Sequence, residues 1–483
     1  MKIITRDIIN KNFTATGLYL DENLQIQTEF IDYETLIHKI DLAKTFLVKE
    51  KNAKPGQHVL ISTHFWPNYL IWFFACAELG MKFIVSDFPK SKLAFEQLPV
   101  IGIADIIIYD MVYPPGFDDE KYKDGLFSSK VLDNYNPTEL VTDIYAKEHE
   151  VILIGTSSGT TGVPKIIEHT HEFFYRNMHI NADLYNLKES EKCWHNKNLQ
   201  HGAVLGVFFL PTINRCATHF HAPFGMTLGQ AEENIRAESI KKIQSEKIDR
   251  IIIFFNQIEW FYKELDINKK QSENMIIHYV GNNTTEYINK IVGRFGYTMI
   301  PTFGSTETGG PIFYTEITPH NYKNWNTKLF GKPTKFFKNV TTLDNGLLEV
   351  TDVYGQKIYT GDKFTVDSDG NFIFAGRENL CRVNGKNVYI DFLNSVIEDV
   401  AKIKHEIDFD LVFDDEKETF YIRTNTQLNL SDLNSKISQH ADLRLYRISQ
   451  QVIGTRKDFT IEGWKFSPAA IRLKVYESLQ SQS

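Results

Sequence analysis

At 483 residues the chain is too long for one ordinary core and calls for two or more domains. A composition of 42% hydrophobic and 24% charged residues is that of a soluble globular protein. A net charge of −8 and a pI near 6.0 argue against a nucleic-acid binder that relies on a global positive field, while leaving room for a local basic groove. The aromatic share is high, with 35 Phe and 22 Tyr, which favours large apolar pockets. Four cysteines, Cys76, Cys193, Cys216 and Cys381, show no paired spacing and suit a reducing compartment. The first residues, Met1 to Asp7, carry no apolar signal core. The longest apolar region, Tyr69 to Val85, is broken by Glu78, Gly80 and Lys82 and is too short and too interrupted to span a membrane. The expectation is a cytoplasmic protein.

In chain order, Tyr33 to Lys49 has helical spacing, and Pro55-Gly56 turns the chain into a strand at His58 to Ser62. A helix from about Asn68 to Leu79 stops at Gly80. Strands follow at Lys82 to Val85 and Ala104 to Ile108. This β-α-β order predicts layered α/β packing with mostly parallel strands. Residues 111 to 145 read as a loop-rich surface connection. Strand-like runs at Val151 to Ile154 and Lys165 to His169 flank a polar loop, and a helix is expected at His171 to Asn181. The alternation continues to about residue 310, with buried strands at Arg250 to Phe255 and Ile276 to Val280. After Phe330-Gly331-Lys332-Pro333 short strands and turns predict a small barrel or distorted sheet. The last hundred residues read as a small α+β domain. Its helices are expected at Phe392 to Lys402 and Ser431 to Gln439, the latter capped by Ser431, and its strands at Ile407 to Phe413 and Thr419 to Arg423.

The chemistry concentrates in Thr156-Ser157-Ser158-Gly159-Thr160-Thr161-Gly162-Val163-Pro164-Lys165. Hydroxyls and backbone N–H groups wrap a polyphosphate, glycines let the backbone approach it, and a lysine adds a point charge. A Walker loop differs, because it carries Gly-Lys-Ser/Thr and opens a helix. A second run is Pro301-Thr302-Phe303-Gly304-Ser305-Thr306-Glu307-Thr308-Gly309-Gly310, a third is Tyr359-Thr360-Gly361-Asp362, and a fourth is Gly376-Arg377-Glu378-Asn379. In this order and composition the runs resemble the motifs of the adenylate-forming superfamily: acyl-CoA synthetases, aryl-CoA ligases, firefly-type luciferases and peptide-synthetase adenylation domains.

The resemblance implies a large N-terminal α/β domain over 1–378 and a small mobile α+β domain over 379–483, hinged near Asn379. It implies that Thr156 to Gly162 and Lys165 hold the phosphates of ATP and that Gly281-Asn282 runs along adenine. Phe303 would stack on adenine beside Gly304 and Ser305, Thr306 would donate to the α-phosphate, and Glu307 would hold Mg²⁺. Asp362 and Arg377 would grip the ribose, and His201 would border the acyl pocket. These roles suit the residues: an aromatic face accepts a flat base, and a carboxylate suits a hard cation or a cis-diol. Val204, Leu205, Val207, Phe208 and Phe209 are read as core or acyl-pocket lining, with core as the default, and His169 and His171 as structural or near-loop polar groups.

Four departures from the family pattern stand out. The hinge position is Asn379 in place of Asp, which still tolerates a dihedral change. Gly385 arrives one residue early, and Gly346 to Val350 replaces the usual Gly-Glu-Leu. No plain Gly-Lys ends the chain, so the catalytic lysine is expected at Lys465, with Lys457 as second candidate.

The implied reaction has two halves: a carboxylate attacks the α-phosphate of MgATP, then a thiol, CoA first among them, displaces AMP. No acid near His201 is placed to bind an α-ammonium, so a fatty or aromatic acid is expected. The alternatives are transfer to a carrier-protein thiol or another nucleophile, a non-catalytic nucleotide-binding homologue, and a P-loop NTPase. The absence of a Gly-Lys-Ser/Thr helix start weighs against the last.

Overall fold

The computed structural model describes residues 2–20, 25–62, 66–85, 103–109, 126–157, 165–195, 205–222, 230–267, 275–280, 285–305, 308–326, 328–344, 346–377, 380–383, 386–405, 408–414, 419–439, 448–453, 460–461 and 465–466. The described chain divides into two compact units. The larger contains Met1–Ser157, Ile166–Thr360 and Phe364–Ala375; the smaller contains Ser158–Lys165, Gly361–Lys363 and Gly376–Ser483.

Two sheets with mainly parallel strands organise the larger unit. One has the strand order Leu126–Ser128, Ile106–Tyr109, His58–Ser62, Lys82–Val85, Val151–Ser157 and Lys165–Thr170, and its first five strands pair in parallel. The other runs Thr298–Thr302, Ile276–Val280, Arg250–Phe254, Lys192–His195, Thr218–His221, Thr14–Leu20 and Ile26–Asp32. Its neighbours are parallel up to Thr14–Leu20, and the last pair is an antiparallel hairpin. Strands such as Ile251-Ile252-Ile253 are buried on both faces, as a covered parallel sheet requires.

The helix Tyr33–Lys49 begins with Asp32 accepting from the Thr35 N–H at 2.9 Å and buries Leu36, Ile40, Ala43 and Leu47. It packs with the helix Trp66–Glu78, which buries Tyr69 to Ala77. Each fully buried side chain of this size stabilises the fold by roughly 1.5–3 kcal/mol. This second helix starts two residues before the predicted Asn68, because Pro67 in the first turn needs no intrahelical donor. Gly80 ends it at φ +68°. The Ile4 to Phe13 segment is locked to this layer by a buried clasp. Arg6 pairs with Glu78 at 2.6 Å and Asp41 at 2.7 Å, and Lys44 donates to Glu78 at 2.9 Å.

A third sheet follows residue 310, ordered Phe313–Tyr314, Leu329–Pro333, Phe372–Arg377, Lys357–Val366, Leu347–Thr351 and Asn339–Thr342. Its described pairings are antiparallel, and Phe313, Phe330, Phe364 and Phe372 share its core.

In the smaller unit the strands Phe409–Asp414, Thr419–Thr424 and Ile448–Ile453 form one sheet, packed by the helices Ile390–Ala401 and Leu430–Ser438. This is the α+β composition expected from the sequence. Arg423 and Asp410 form a buried pair at 2.7 Å across the first two strands. The cap of the helix Leu430–Ser438 is Asn429, whose side chain accepts from the N–H groups of Ser431 and Asp432. The expectation of Ser431 is corrected by two residues: the asparagine oxygen reaches both orphan donors, and Ser431 is already helical. Among the described residues no helix is long and apolar enough to cross a membrane.

Candidate functional site

The strands Val151–Ser157 and Lys165–Thr170 are sheet neighbours, so the hydroxyl-rich run lies between two adjacent strands. Val151–Ser157 is parallel to Lys82–Val85, with Leu153 opposite Phe83 and Gly155 opposite Val85. Thr156 and Ser157 therefore stand at the C-terminal end of parallel strands, where open α/β sheets bind ligands. The Lys165–Thr170 strand runs directly into the helix His171–Leu184, whose N-cap Thr170 accepts from the Phe173 N–H at 3.2 Å. His169 stacks on Phe173 at 4.4 Å, and the His171 Nδ1 accepts from the Ile4 N–H at 3.2 Å. Burial holds His171 down at about 4, with Glu150 opposing that shift.

The strand Thr298–Thr302 delivers Phe303, which bridges to Phe313. The Phe303 ring lies 4.8 Å from Phe330 and 5.1 Å from Phe364, an edge contact that fixes its plane. A braced turn follows. Thr308 Oγ1 accepts from the Ser305 N–H at 2.9 Å, and the Gly309 N–H donates to the Ser305 carbonyl at 3.0 Å. A Cβ on Gly304 would sit 2.5 Å from the Gly310 carbonyl oxygen, so the turn closes only on glycine.

Histidines mark the ends of two central strands. His195 and His221 are the last residues of Lys192–His195 and Thr218–His221 and face each other in register. The His219 Nε2 lies 3.1 Å from the Cys216 carbonyl, which can only accept, so Nε2 carries the proton. The His219 Nδ1 then accepts from the His195 Nε2 at 3.1 Å. Burial lowers both, His219 to about 4, so both rings are neutral near pH 7. On the neighbouring strands Arg250 donates to the His278 Nε2 at 3.0 Å and pairs with Glu191 at 2.9 Å. His278 is lowered by burial and by that guanidinium. The His195 ring contacts Phe208 and Phe209, both 5.4 Å away, in the buried π-helical turn Leu205–Phe209.

No family model and no curated protein matches the chain by sequence. Solved structures do match. An o-succinylbenzoate CoA synthetase from Bacillus subtilis, bound with a product analogue, aligns with TM-score 0.70 at 13% identity over 96% of each chain. An artificially fused adenylation-PCP di-domain from Klebsiella oxytoca, NpsA-ThdA, aligns with TM-score 0.68 at 15% identity over 94% of each chain. An anthranilate CoA ligase, AuaEII, in complex with anthranoyl-AMP, aligns with TM-score 0.64 at 14% identity over 100% of this chain and 99% of that one. The fold is that of the adenylate-forming enzymes.

Within the adenylate-forming fold the expected site residues fall as follows. Thr156 and Ser157 close one strand and Lys165 opens the next; Ser158, Gly159, Thr160, Thr161 and Gly162 lie outside the described residues. His201, Gly281, Asn282, Thr306, Glu307 and Asn379 also lie outside them, as do Lys457 and Gly385. Phe303, Gly304 and Ser305 form the start of the braced turn. Asp362 is fully buried in the long strand Lys357–Val366, directly after Gly361 at φ +73°. Upstream on that strand, Tyr359 donates to Glu349 at 2.8 Å and Lys357 pairs with the same carboxylate at 3.0 Å. Arg377 ends the strand Phe372–Arg377. Lys465 opens the two-residue strand Lys465–Phe466 and stands opposite Ile461 in a short hairpin. Leu205, Val207, Phe208 and Phe209 are buried, in agreement with a core role.

The implied Mg²⁺ asks for little from the protein. Among the described residues no group of three or more His, Cys, Asp or Glu gathers as a closed metal site. A Mg²⁺ held by one carboxylate, waters and phosphate oxygens needs no such group, and the expected Glu307 would be the right donor type. Motif reading does not single out Asn177 and Asn181, which are fully buried in the helix His171–Leu184. The sequence does carry a signal for them: two amides on the same stripe as Phe174, Met178 and Ala182.

Proposed function

We propose that this chain activates a carboxylic acid with MgATP to an acyl-adenylate, releasing pyrophosphate, and then transfers the acyl group to a thiol, with CoA as the favoured acceptor. The observation that carries this reading is the order of the motifs along one fold. Thr156 and Ser157 of the hydroxyl-rich run end one parallel strand and Lys165 opens its sheet neighbour, an aromatic-led braced turn ends a second sheet, and a buried aspartate follows in a third. Likeness to structures solved with anthranoyl-AMP, with phenylalanyl-adenylate and with ATP and magnesium supports it.

The protein's work in the first half-reaction is positioning. Hydroxyls, amides and Lys165 would bind the triphosphate, Phe303 the base and Asp362 with Arg377 the ribose, leaving the α-phosphorus open to the acid's carboxylate. Mg²⁺ on Glu307 would neutralise phosphate charge when bound. Lys465 would reach the carboxylate and α-phosphate from the small domain, 379–483, turning about Asn379. The second half-reaction would bring the thiol sulfur to the acyl carbon and expel AMP. Carrier-protein transfer is the second reading, favoured by likeness to adenylation domains joined to carrier domains.

The test is acid-dependent AMP formation across fatty, aromatic and amino acids, with and without CoA. AMP formation with a fatty or aromatic acid and CoA is the expected result. A response to amino acids alone refutes the assigned acid class. AMP formation that needs a phosphopantetheinylated carrier protein in place of CoA selects the second reading. Nucleotide binding with no acid-dependent ATP–pyrophosphate exchange refutes the enzyme.

A further inference from the structure

We infer that Asn177 and Asn181 are positioning residues that set the nucleotide side of the site against the acyl side; this rests on the adenylate-forming reading above. Both project from the helix that continues the Lys165–Thr170 strand, and both are fully buried. Asn177 Nδ2 donates to the Gly309 carbonyl at 3.2 Å. Gly309 belongs to the braced turn whose residues flank Thr306 and Glu307. Asn181 Nδ2 donates to the Gly206 carbonyl at 3.2 Å, in the turn that follows the His201 segment.

The two glycines are required by the same junction. A Cβ on Gly309, at φ +57°, would meet the Phe173 ring at 2.4 Å. One on Gly206 would meet Phe174 at 2.7 Å and the Gly309 carbonyl oxygen at 3.2 Å. Helix, nucleotide-side turn and acyl-side turn therefore meet at one point. Neither amide is arranged for stability alone. The Oδ1 atoms of both are buried with no hydrogen-bond partner among the described residues, a cost that leucine at either position would avoid. What the amides supply is a donor to each loop. Residues four apart on a helix lie about 6 Å apart along its axis, so one rigid rod fixes the spacing of the two walls. A reaction between an acid and the α-phosphorus needs that spacing, since reacting atoms must come within about 3–3.5 Å.

The test uses the full chain, AMP titration calorimetry, thermal unfolding and ATP–pyrophosphate exchange. Asn177→Leu should weaken AMP about tenfold, the factor that about 1.4 kcal/mol gives, while Asn181→Leu leaves AMP within about twofold. Asn181→Leu should instead raise the KM for the acid chosen by the AMP-formation screen about tenfold, with the KM for ATP unchanged. Asn177→Asp, which keeps the shape and replaces the donor by an acceptor facing a carbonyl, serves should the leucine variant fail to fold, and should weaken AMP at least as much. Lower unfolding temperatures with equal effects of both variants on AMP and acid would overturn the inference and leave a merely structural pair. A wild-type chain that binds no AMP would sink the adenylate-forming reading itself, and this inference with it.

Discussion

His171 makes the fold sensitive to acid over a defined window. Its Nδ1 accepts from the Ile4 N–H, so the ring must be neutral with its proton on Nε2; a second proton would point one N–H at another. Burial holds its pKa at about 4 against the ordinary 6.5. The unfolded chain therefore binds more protons than the native one between these values. Stability is fully present above pH 6.5 and is lost as pH falls toward 4. At about 1.4 kcal/mol per pH unit, that gap amounts to roughly 3 kcal/mol from this residue. His219, also held at about 4, adds a similar slope over the same window. His171→Asn keeps an acceptor for the Ile4 N–H and removes the titration. Urea unfolding of both proteins between pH 7 and pH 4 measures the difference, read through Trp72 and Trp194, both buried in the larger unit. The wild type should lose roughly 3 kcal/mol more than the variant across that range. Parallel curves would refute the reasoning, because His171 would then titrate alike in both states.

Other perturbations follow from the same geometry. Glu78→Gln leaves Arg6 and Lys44 buried with less compensating charge and should cost about 3–5 kcal/mol in urea unfolding at pH 7. Gly309→Ala forces a Cβ to within 2.4 Å of the Phe173 ring at a positive φ; it should cost at least about 1–3 kcal/mol and lower AMP affinity. Asp362→Asn should raise the KM for ATP by about 10–100-fold, the weight of a charge-assisted hydrogen bond, with unchanged circular dichroism. Lys465→Ala should abolish acid-dependent AMP formation while AMP still binds; retained activity, with loss in Lys457→Ala, moves the role to Lys457.

Elements with strong local patterns are legible in the amino-acid sequence. Tyr33–Lys49, His58–Ser62, Lys82–Val85 and Ile276–Val280 fall where spacing and β-branched runs put them. The hairpin Thr14–Leu20 and Ile26–Asp32 is not legible in this way, because its place is set by a partner some two hundred residues away, Thr14 opposite Thr218. The cap at Asn429 escapes local reading for a local reason, two eligible residues standing close together. The motifs can be read because the phosphate and base chemistry proposed for them would use contiguous residues. The Asn177–Gly309 and Asn181–Gly206 contacts cannot, since each joins segments that only topology brings together. Apolar periodicity also passes over an amide on a buried stripe.

The buried polar groups bear on which acid the proposed site would take. An α-ammonium group needs a carboxylate that is free to receive it. Glu191 is already held by Arg250 and precedes the strand Lys192–His195, at the end opposite His195. At the end that leads into the His201 segment stands His195, hydrogen-bonded to His219 of the neighbouring strand, and both rings are neutral near pH 7. Phe208 and Phe209 pack on the His195 ring from the turn beyond that segment. If these groups border the proposed acyl pocket, the neutral imidazole and phenyl groups among the described residues would offer an ammonium no counter-charge and would suit an apolar or aromatic acyl group. Electrostatics, and no sequence likeness, is the reason to begin the acid screen with aromatic and fatty acids. The same groups give the screen a sharp control: introducing a carboxylate by His195→Asp should not improve turnover of the preferred acid.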